Sequence, residues 1–425
     1  MKKCLAIILI LVLLLSCVPA MANSAAAVTI MNCDTGRLIT DQNGNTQFYM
    51  IEDGGKTSFT DAEGNYLNLS GSTVQVSANS IAYTITSLSM QRSLIQLPNM
   101  NYVYDSDEGT TNAATIANDR EGKLIRCAWF ITPIENGRPL RILCLGDSLT
   151  YGVDLDLSGT SNPRVAYRQT LSRNMIDYFG AVAFVGNVDE YTTTVSDPFL
   201  YRHSGYSGYV IEDVYHVEQH PGIKPMVDDM MAKYQPDIVI MMLGTNDLGL
   251  SLMTGDIIPR WEDLVRQIEK QLPENGMILC ASLPPILSST KEPMFNEKMQ
   301  ARLRELAVEG IKIGFIDPNT PLSENEKGYL NSDGVHFNSM GYQVIGTVFT
   351  DAITTAYNSS GKKVMPNPLI PADPHAEPSE ESSQSDANAG FLGVGPVGLA
   401  LIGIGVAIIA AVIVLLCVLK KNKKN

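Results

Sequence analysis

Two hydrophobic rhythms divide this chain. Between residues 23 and about 135, short stretches rich in Thr, Tyr, Phe, Ile and Leu are separated by turn signals. Thr40-Asp41-Gln42-Asn43-Gly44-Asn45 and Thr60-Asp61-Ala62-Glu63-Gly64-Asn65 stand twenty residues apart, with Asp53-Gly54-Gly55 between them. Each is the punctuation a β-hairpin needs. Runs at residues 73–76 and 81–85 continue the pattern, so residues 23–135 are predicted as a small β-rich domain, a sandwich or meander. Phe48, Tyr49 and Tyr66 could stack on sugars; strand aromatics ordinarily pack the sheet, and packing is the expectation here.

From about residue 138 the rhythm changes. Short apolar runs at 141–145, 182–185, 237–243, 277–281 and 311–316 read as strands buried on both faces. Helical patterns lie between them. Ile257, Ile258, Trp261, Leu264, Val265, Ile268 and Leu272 keep the i, i+3, i+4, i+7 spacing of a buried helix face. Met299, Leu303, Leu306 and Ala307 mark another, and residues 342–357 a last one. Alternating β and α elements predict a three-layer α/β/α domain with a parallel sheet over residues 138–358.

The two ends follow different patterns. Lys2 and Lys3 precede an apolar run at 5–15, and Ala20-Met21-Ala22 is a small-residue cleavage site, so residues 1–22 are predicted as a secretory signal peptide. Leu14-Leu15-Ser16-Cys17 also resembles a bacterial lipoprotein box. Residues 359–395 are rich in Pro, Ser, Glu and Asp. They cannot bury a core and are predicted as a disordered stalk. The uncharged apolar run at 397–419 is long enough for a transmembrane helix, and the lysine-rich tail at 420–425 follows it. No Leu-Pro-x-Thr-Gly precedes the span. By the positive-inside rule the tail is cytoplasmic and the bulk of the chain extracellular. The expected location is therefore a single-pass anchor on a Gram-positive-like bacterial surface.

Charge and cysteines refine this picture only slightly. A net charge of -14 argues against nucleic acid as a partner and disfavours strongly anionic substrates. Cys144 and Cys280 fall in predicted buried strands and are expected as core thiols. Cys33 and Cys127 bracket the β-rich region and could pair, which spacing alone does not decide. Zinc-ligand spacings and glycine-rich phosphate loops are lacking, so no cofactor and no metal is expected.

Four stretches in the α/β region carry chemistry. Gly146-Asp147-Ser148-Leu149 follows the first predicted strand, and His203-Ser204-Gly205-Tyr206-Ser207-Gly208-Tyr209 lies in a loop after the second. Gly244-Thr245-Asn246-Asp247 ends the third, and Asp333-Gly334-Val335-His336 follows the fifth. Each sits where a strand gives way to a loop, hence on one edge of a parallel sheet, where such sheets place their ligands.

In order and spacing these stretches resemble the four blocks of the SGNH (GDSL) hydrolase superfamily over residues 138–358. Tyr167-Arg168, Phe184-Val185-Gly186 and the Gly-x-x-Gly-Tyr form at 205–209 are similar to carbohydrate esterase family three, the acetylxylan-esterase-like branch. That branch often has an acidic residue where this chain has Ser204. The resemblance implies a flavodoxin-like fold and a catalytic triad of Ser148, Asp333 and His336. It also implies an oxyanion hole from the backbone N–H groups of Ser148 and Gly208 and the Asn246 amide. Ser148 would attack an ester carbonyl, His336 would move the proton, and Asp333 would orient the imidazole. Asp147 is read as a turn stabiliser, Asp247 as a helix cap, and His203 as a surface histidine that could contact substrate. His216, His220 and His375 show no partner pattern, and Ser207 misses the nucleophile-elbow spacing by one residue.

The expected activity is removal of O-acetyl groups from an acetylated polysaccharide or oligosaccharide through an acyl-enzyme. Two alternatives stay open. One keeps the triad but takes lipid esters, thioesters or cell-wall O-acetyl groups. The other is a surface carbohydrate-binding protein with a vestigial hydrolase domain.

Overall fold

Alternation of buried and exposed side chains organises the first part of the chain into strands: β1 (Ala26–Asn32), β2 (Gln47–Asp53), β3 (Lys56–Thr60), β4 (Tyr66–Asn68), β5 (Gln75–Ser77), β6 (Thr84–Ser87), β7 (Arg92–Gln96), β8 (Tyr102–Asp105), β9 (Thr111–Ala114) and β10 (Ala128–Pro133). The structure is a computed structural model. It describes residues 25–69, 74–106, 111–114, 126–154, 165–188, 202–214, 220–250, 254–287 and 289–357. The predicted leader (1–22), stalk (359–395), span (397–419) and lysine tail (420–425) lie outside the described residues. Among those described, no helix is long and apolar enough to cross a membrane.

These strands form one hydrogen-bonded antiparallel sheet, in the order β5-β4-β3-β2-β1-β10-β7-β8-β9 with β6 also on β7. It is neither two separate sheets nor a simple meander. β10 returns from far along the chain to lie between β1 and β7, a pairing that turn signals cannot announce. The sheet also bends back on itself, since Tyr83 and Thr57 exchange backbone hydrogen bonds at 2.7 and 2.9 Å. Val28, Phe48, Phe59, Leu67, Tyr83, Ile95 and Trp129 fill the enclosed core. Tyr83 satisfies its hydroxyl there by donating to Leu67 O at 2.7 Å and accepting from Leu69 N–H at 3.0 Å.

The two repeated turns are built alike. Asp41 Oδ1 accepts from the N–H of Asn43 and Asn45, and Asp61 Oδ1 accepts from Glu63 and Asn65. In each, the asparagine amide donates to the second carboxylate oxygen. This is the Asx turn that aspartate favours.

The continuous apolar runs form a second, parallel sheet of β11 (Leu140–Gly146), β12 (Val182–Val185), β13 (Ser204–Gly205), β14 (Ile238–Met242), β15 (Met277–Ala281) and β16 (Ile313–Ile316). Its order is β12-β11-β14-β15-β16, with β13 beside the end of β11. The principal helices are α1 (Ser148–Tyr151), α2 (Arg168–Phe179), α3 (Val227–Tyr234), α4 (Thr245–Gly249), α5 (Thr254–Glu269), α6 (Lys291–Val308) and α7 (Ser339–Ala356). Ile142 and Cys144 of β11 face Leu171, Met175, Phe349 and Ile353 of α2 and α7. Leu143 and Leu145 face Met230, Trp261, Leu264 and Leu303 of α3, α5 and α6. Each fully buried side chain of this size contributes roughly 1.5–3 kcal/mol, and both faces of the sheet are covered. The expected α/β/α layering with a parallel sheet is therefore present, preceded by an antiparallel β-rich region.

The two sheets share a boundary. Met31, Cys33, Leu94, Cys127, Ala128 and Phe130 of the first region pack with Ala181 and Ala183 beside and on β12. Asp34 holds Arg202 through a bidentate pair at 2.7 and 2.8 Å, both side chains 5% exposed. Arg138 holds Asp237 in the same manner at 2.5 and 2.6 Å.

Candidate active site

β11 ends at Gly146, where a Cβ would come within 2.3 Å of Thr150 Oγ1 and 2.5 Å of Met242 O. Only glycine lets the chain turn this close to the next strand. Asp147 caps the helix that follows, accepting from Leu149 N–H at 3.0 Å. Ser148 is thereby the first residue of α1, 6% exposed, beyond the C-terminal end of a central strand.

The segment after β16 folds into a closed turn opposite it. Asn331 N–H donates to His336 O at 2.8 Å, and Gly334 N–H to Asn331 O at 3.0 Å. Asp333 Oδ1 accepts from the N–H groups of Val335 at 3.2 Å and His336 at 3.1 Å. Its Oδ2 lies 2.5 Å from His336 Nδ1, and His336 Nε2 lies 2.8 Å from Ser148 Oγ. A carboxylate only accepts, so Nδ1 carries the proton and Nε2 accepts from the serine hydroxyl. Burial pushes the Asp333 carboxyl up, but its bonds to the His336 ring and the two backbone N–H groups outweigh that and hold it below the usual carboxylate range. The three residues that the sequence grouped are joined in one relay.

The other two stretches meet the same edge. β13 pairs with Leu145 and Gly146, and β14 pairs with β11 up to Gly146 and Met242. Tyr206 N–H donates to Gly146 O at 3.0 Å. Asn246 donates one amide N–H to Tyr209 O at 2.8 Å, which ties the third stretch to the second; its amide has a second hydrogen to donate. Among the described residues, no acceptor is bonded to the backbone N–H of Ser148 or Gly208.

Residues 144–344 match the model of the GDSL-like Lipase/Acylhydrolase family. This domain belongs to that family. A multidomain esterase of Ruminococcus flavefaciens is 24% identical over 255 residues, which cover 56% of this chain and 32% of the relative. The chain thus spans about a third of that relative's length. Among solved structures, the GDSL domain is similar to a Clostridium thermocellum family 3 carbohydrate esterase, with TM-score 0.42 and 22% identity over 51% of this chain and 96% of that one. A Talaromyces cellulolyticus carbohydrate esterase of family 3 has TM-score 0.40 and 20% identity over 50% of this chain and 95% of that one.

Several residues of the GDSL domain sit differently from what the sequence suggested. His203 is not at the surface: it is 3% exposed, and its Nδ1 accepts from Gly205 N–H at 3.0 Å. Burial, with Arg168 nearby, pushes its basicity well below the ordinary range, which keeps the ring neutral. Asp247 does not cap its own helix. Its two oxygens lie 3.2 and 3.4 Å from Ile211 N–H, thirty-six residues earlier. Asp147 does stabilise its turn, as expected, and burial pushes its carboxyl up to about 6.

Two supporting residues were not legible as such. Arg168, fully buried, donates from Nη1 to Thr150 O at 2.5 Å and braces the helix that begins with Ser148. His220 Nδ1 lies 2.7 Å from Gly208 O. The only sequence trace of the latter is a histidine before Pro221-Gly222, a turn signal that says nothing about its partner.

Proposed function

We propose that this chain is an extracellular serine esterase that removes O-acetyl groups from carbohydrate. The observation that carries the reading is the relay from Asp333 through His336 to Ser148 Oγ, at 2.5 and 2.8 Å. Ser148 Oγ attacks the acetyl carbon while its proton passes to His336 Nε2, and the carbonyl π pair moves onto oxygen. The N–H groups of Ser148 and Gly208 and the second hydrogen of the Asn246 amide receive that oxyanion. Collapse breaks the bond to the sugar oxygen, which takes the proton from His336 and leaves as an alcohol. Water then repeats the sequence on the acetyl-serine, releasing acetate. Asp333, held ionised, stabilises the transient imidazolium.

The acetylated-carbohydrate substrate is supported by the family-three wording at Tyr167-Arg168, Phe184-Val185-Gly186 and 205–209. The surface location is supported by the predicted leader and the apolar run with its lysine tail. The decisive experiment is hydrolysis of p-nitrophenyl acetate and acetylated xylan by the wild-type chain and by Ser148→Ala. Loss of turnover in the variant is expected, and normal turnover would sink the mechanism. Failure of the folded wild-type protein to label with a fluorophosphonate would instead favour a binding protein with an inactive site.

One feature favours a second reading. Leu287, 48% exposed, bonds its N–H to Gly334 O at 2.8 Å within the turn that carries His336. An exposed leucine there suits a longer acyl chain, as a lipid esterase or thioesterase would require. A p-nitrophenyl ester series from acetate to octanoate separates the two: a maximum at acetate is expected, and a maximum at octanoate favours the lipid version.

A further inference from the structure

We infer that His220 is a positioning residue of the oxyanion site, holding the Gly208 carbonyl and, through that residue's backbone dihedrals, the N–H on its preceding peptide that faces substrate. The inference rests on the esterase reading above and adds to it a residue outside the four stretches.

Gly208 has φ +83°, in the left-handed region that favours glycine. With no Cβ to restrain it, such a residue turns its flanking peptides easily, and an oxyanion site tolerates only one orientation. A carbonyl swung toward the site would repel the developing negative charge instead of stabilising it. The Gly208 N–H lies on the peptide before it and its carbonyl on the peptide after it, so anchoring the carbonyl fixes one side of this flexible residue. His220 Nδ1 lies 2.7 Å from Gly208 O. A carbonyl cannot donate, so Nδ1 carries the hydrogen, and this bond survives in both the neutral and the cationic ring.

The neighbouring residues are each fixed by a different partner. Tyr209 O accepts from the Asn246 amide at 2.8 Å. Val210 N–H donates to Pro221 O at 3.1 Å, and Ile211 N–H meets the Asp247 carboxylate. The segment carrying His220 is itself anchored: Gly222 N–H donates to Asp213 Oδ1 at 2.6 Å, and Ile223 N–H to Val210 O at 2.9 Å. His220 thus stands at the head of a short strand-like piece zipped to the oxyanion loop. Among the described hydrogen bonds it is the side chain that reaches the Gly208 carbonyl. Its ring does not join the relay; it acts through Gly208.

The test is His220→Ala and His220→Gln in the full chain, with Ser148→Ala as reference. Loss of a complete oxyanion donor costs on the order of 10²–10³ in kcat, and loss of its support alone is expected to cost about 10–100-fold with KM within about twofold. Affinity for phenylboronic acid, which forms a tetrahedral adduct with the serine, should fall by the same factor. The glutamine variant, whose amide can donate in place of Nδ1–H, should recover most of both. A kcat for His220→Ala within about twofold of wild type, in an enzyme whose turnover depends on Ser148, overturns the inference alone. Loss of activity with unchanged boronate affinity and no rescue by glutamine overturns it as well. Absence of Ser148-dependent turnover overturns the esterase reading. A crystal structure of His220→Ala then still decides positioning, because an unmoved Gly208 carbonyl counts against it.

Discussion

Asp333 and Asp147 flank the Ser148–His336 pair in the sequence stretches that carry it, and their carboxyls are shifted in opposite directions. Asp333, with its side chain 28% exposed, accepts from two backbone N–H groups and from the His336 ring, and stays ionised well into acid. Asp147 is fully buried, with Oδ1 accepting from Leu149 N–H. Its Oδ2 and the nearby Thr245 Oγ1 are both buried without a well-aligned hydrogen bond, although Thr245 partly offsets the cost of burial. Burial pushes that carboxyl up to about 6. The difference is one of bonded N–H groups and water, not of residue type. The carboxylate bonded to His336 sits in an Asx turn at the surface; the one that caps a helix start is fully buried.

The sharpest way to break this comparison is Asp333→Asn. It keeps the turn but removes the charge behind His336, and kcat should fall by about 10³–10⁴, measured on an acetate ester. A loss below tenfold would mean that the charge is not used.

Asp147→Asn should act on stability more than on turnover. The Asp147 carboxyl lies near 3.8 in the unfolded chain and at about 6 in the folded one. Between those values the folded chain keeps a proton that the unfolded chain has released, so stability declines as pH rises from about 4 to about 6 and is level above. The full change is roughly 3 kcal/mol. Urea midpoints between pH 4 and 7 should fall less steeply in Asp147→Asn than in wild type, and parallel slopes would refute the buried-proton account.

Asp247→Asn should give a comparable flattening. Burial raises Asp247 to about 6 as well, and the Asp147 charge adds to the rise. The double variant should therefore flatten the profile by less than the sum of the singles, because part of the Asp247 rise comes from the Asp147 charge and is already lost in Asp147→Asn. Strict additivity would show that the two do not interact.

Asp61→Ala should have the smallest effect. It removes the Asx-turn bonds to Glu63 and Asn65, at a cost of about 1–2 kcal/mol. Calorimetry should show a lower Tm with kcat unchanged. A change in kcat would give this turn a role beyond the sheet.

The parallel sheet was legible because strands buried on both faces must be apolar throughout; residues 182–185 and 277–281 match β12 and β15 residue for residue. The relay was legible through the resemblance of four ordered stretches to the SGNH blocks, with Asp333 three residues before His336 on one turn and Ser148 just beyond a strand end. What escaped the sequence depends on partners far along the chain. The place of β10 between β1 and β7 is set by pairing with β1, about a hundred positions earlier, and with β7, more than thirty earlier. Asp247 reads as a cap because local geometry usually captures aspartates there, yet it is bonded to Ile211. His203 is polar and follows a loop, which suggests exposure, but the chain buries it and meets its need with Gly205 N–H. His220 has no local signature at all.

The Asp34–Arg202 pair has a consequence for how little of the chain can stand alone. Residue 34 lies outside the family match that begins at residue 144, yet its carboxylate neutralises a guanidinium 5% exposed and adjacent to His203. A protein begun at residue 138 would lack that carboxylate, and losing one partner of such a buried pair costs on the order of 3–5 kcal/mol. The leading sheet is thus tied to the α/β region by a buried charge pair as well as by apolar packing.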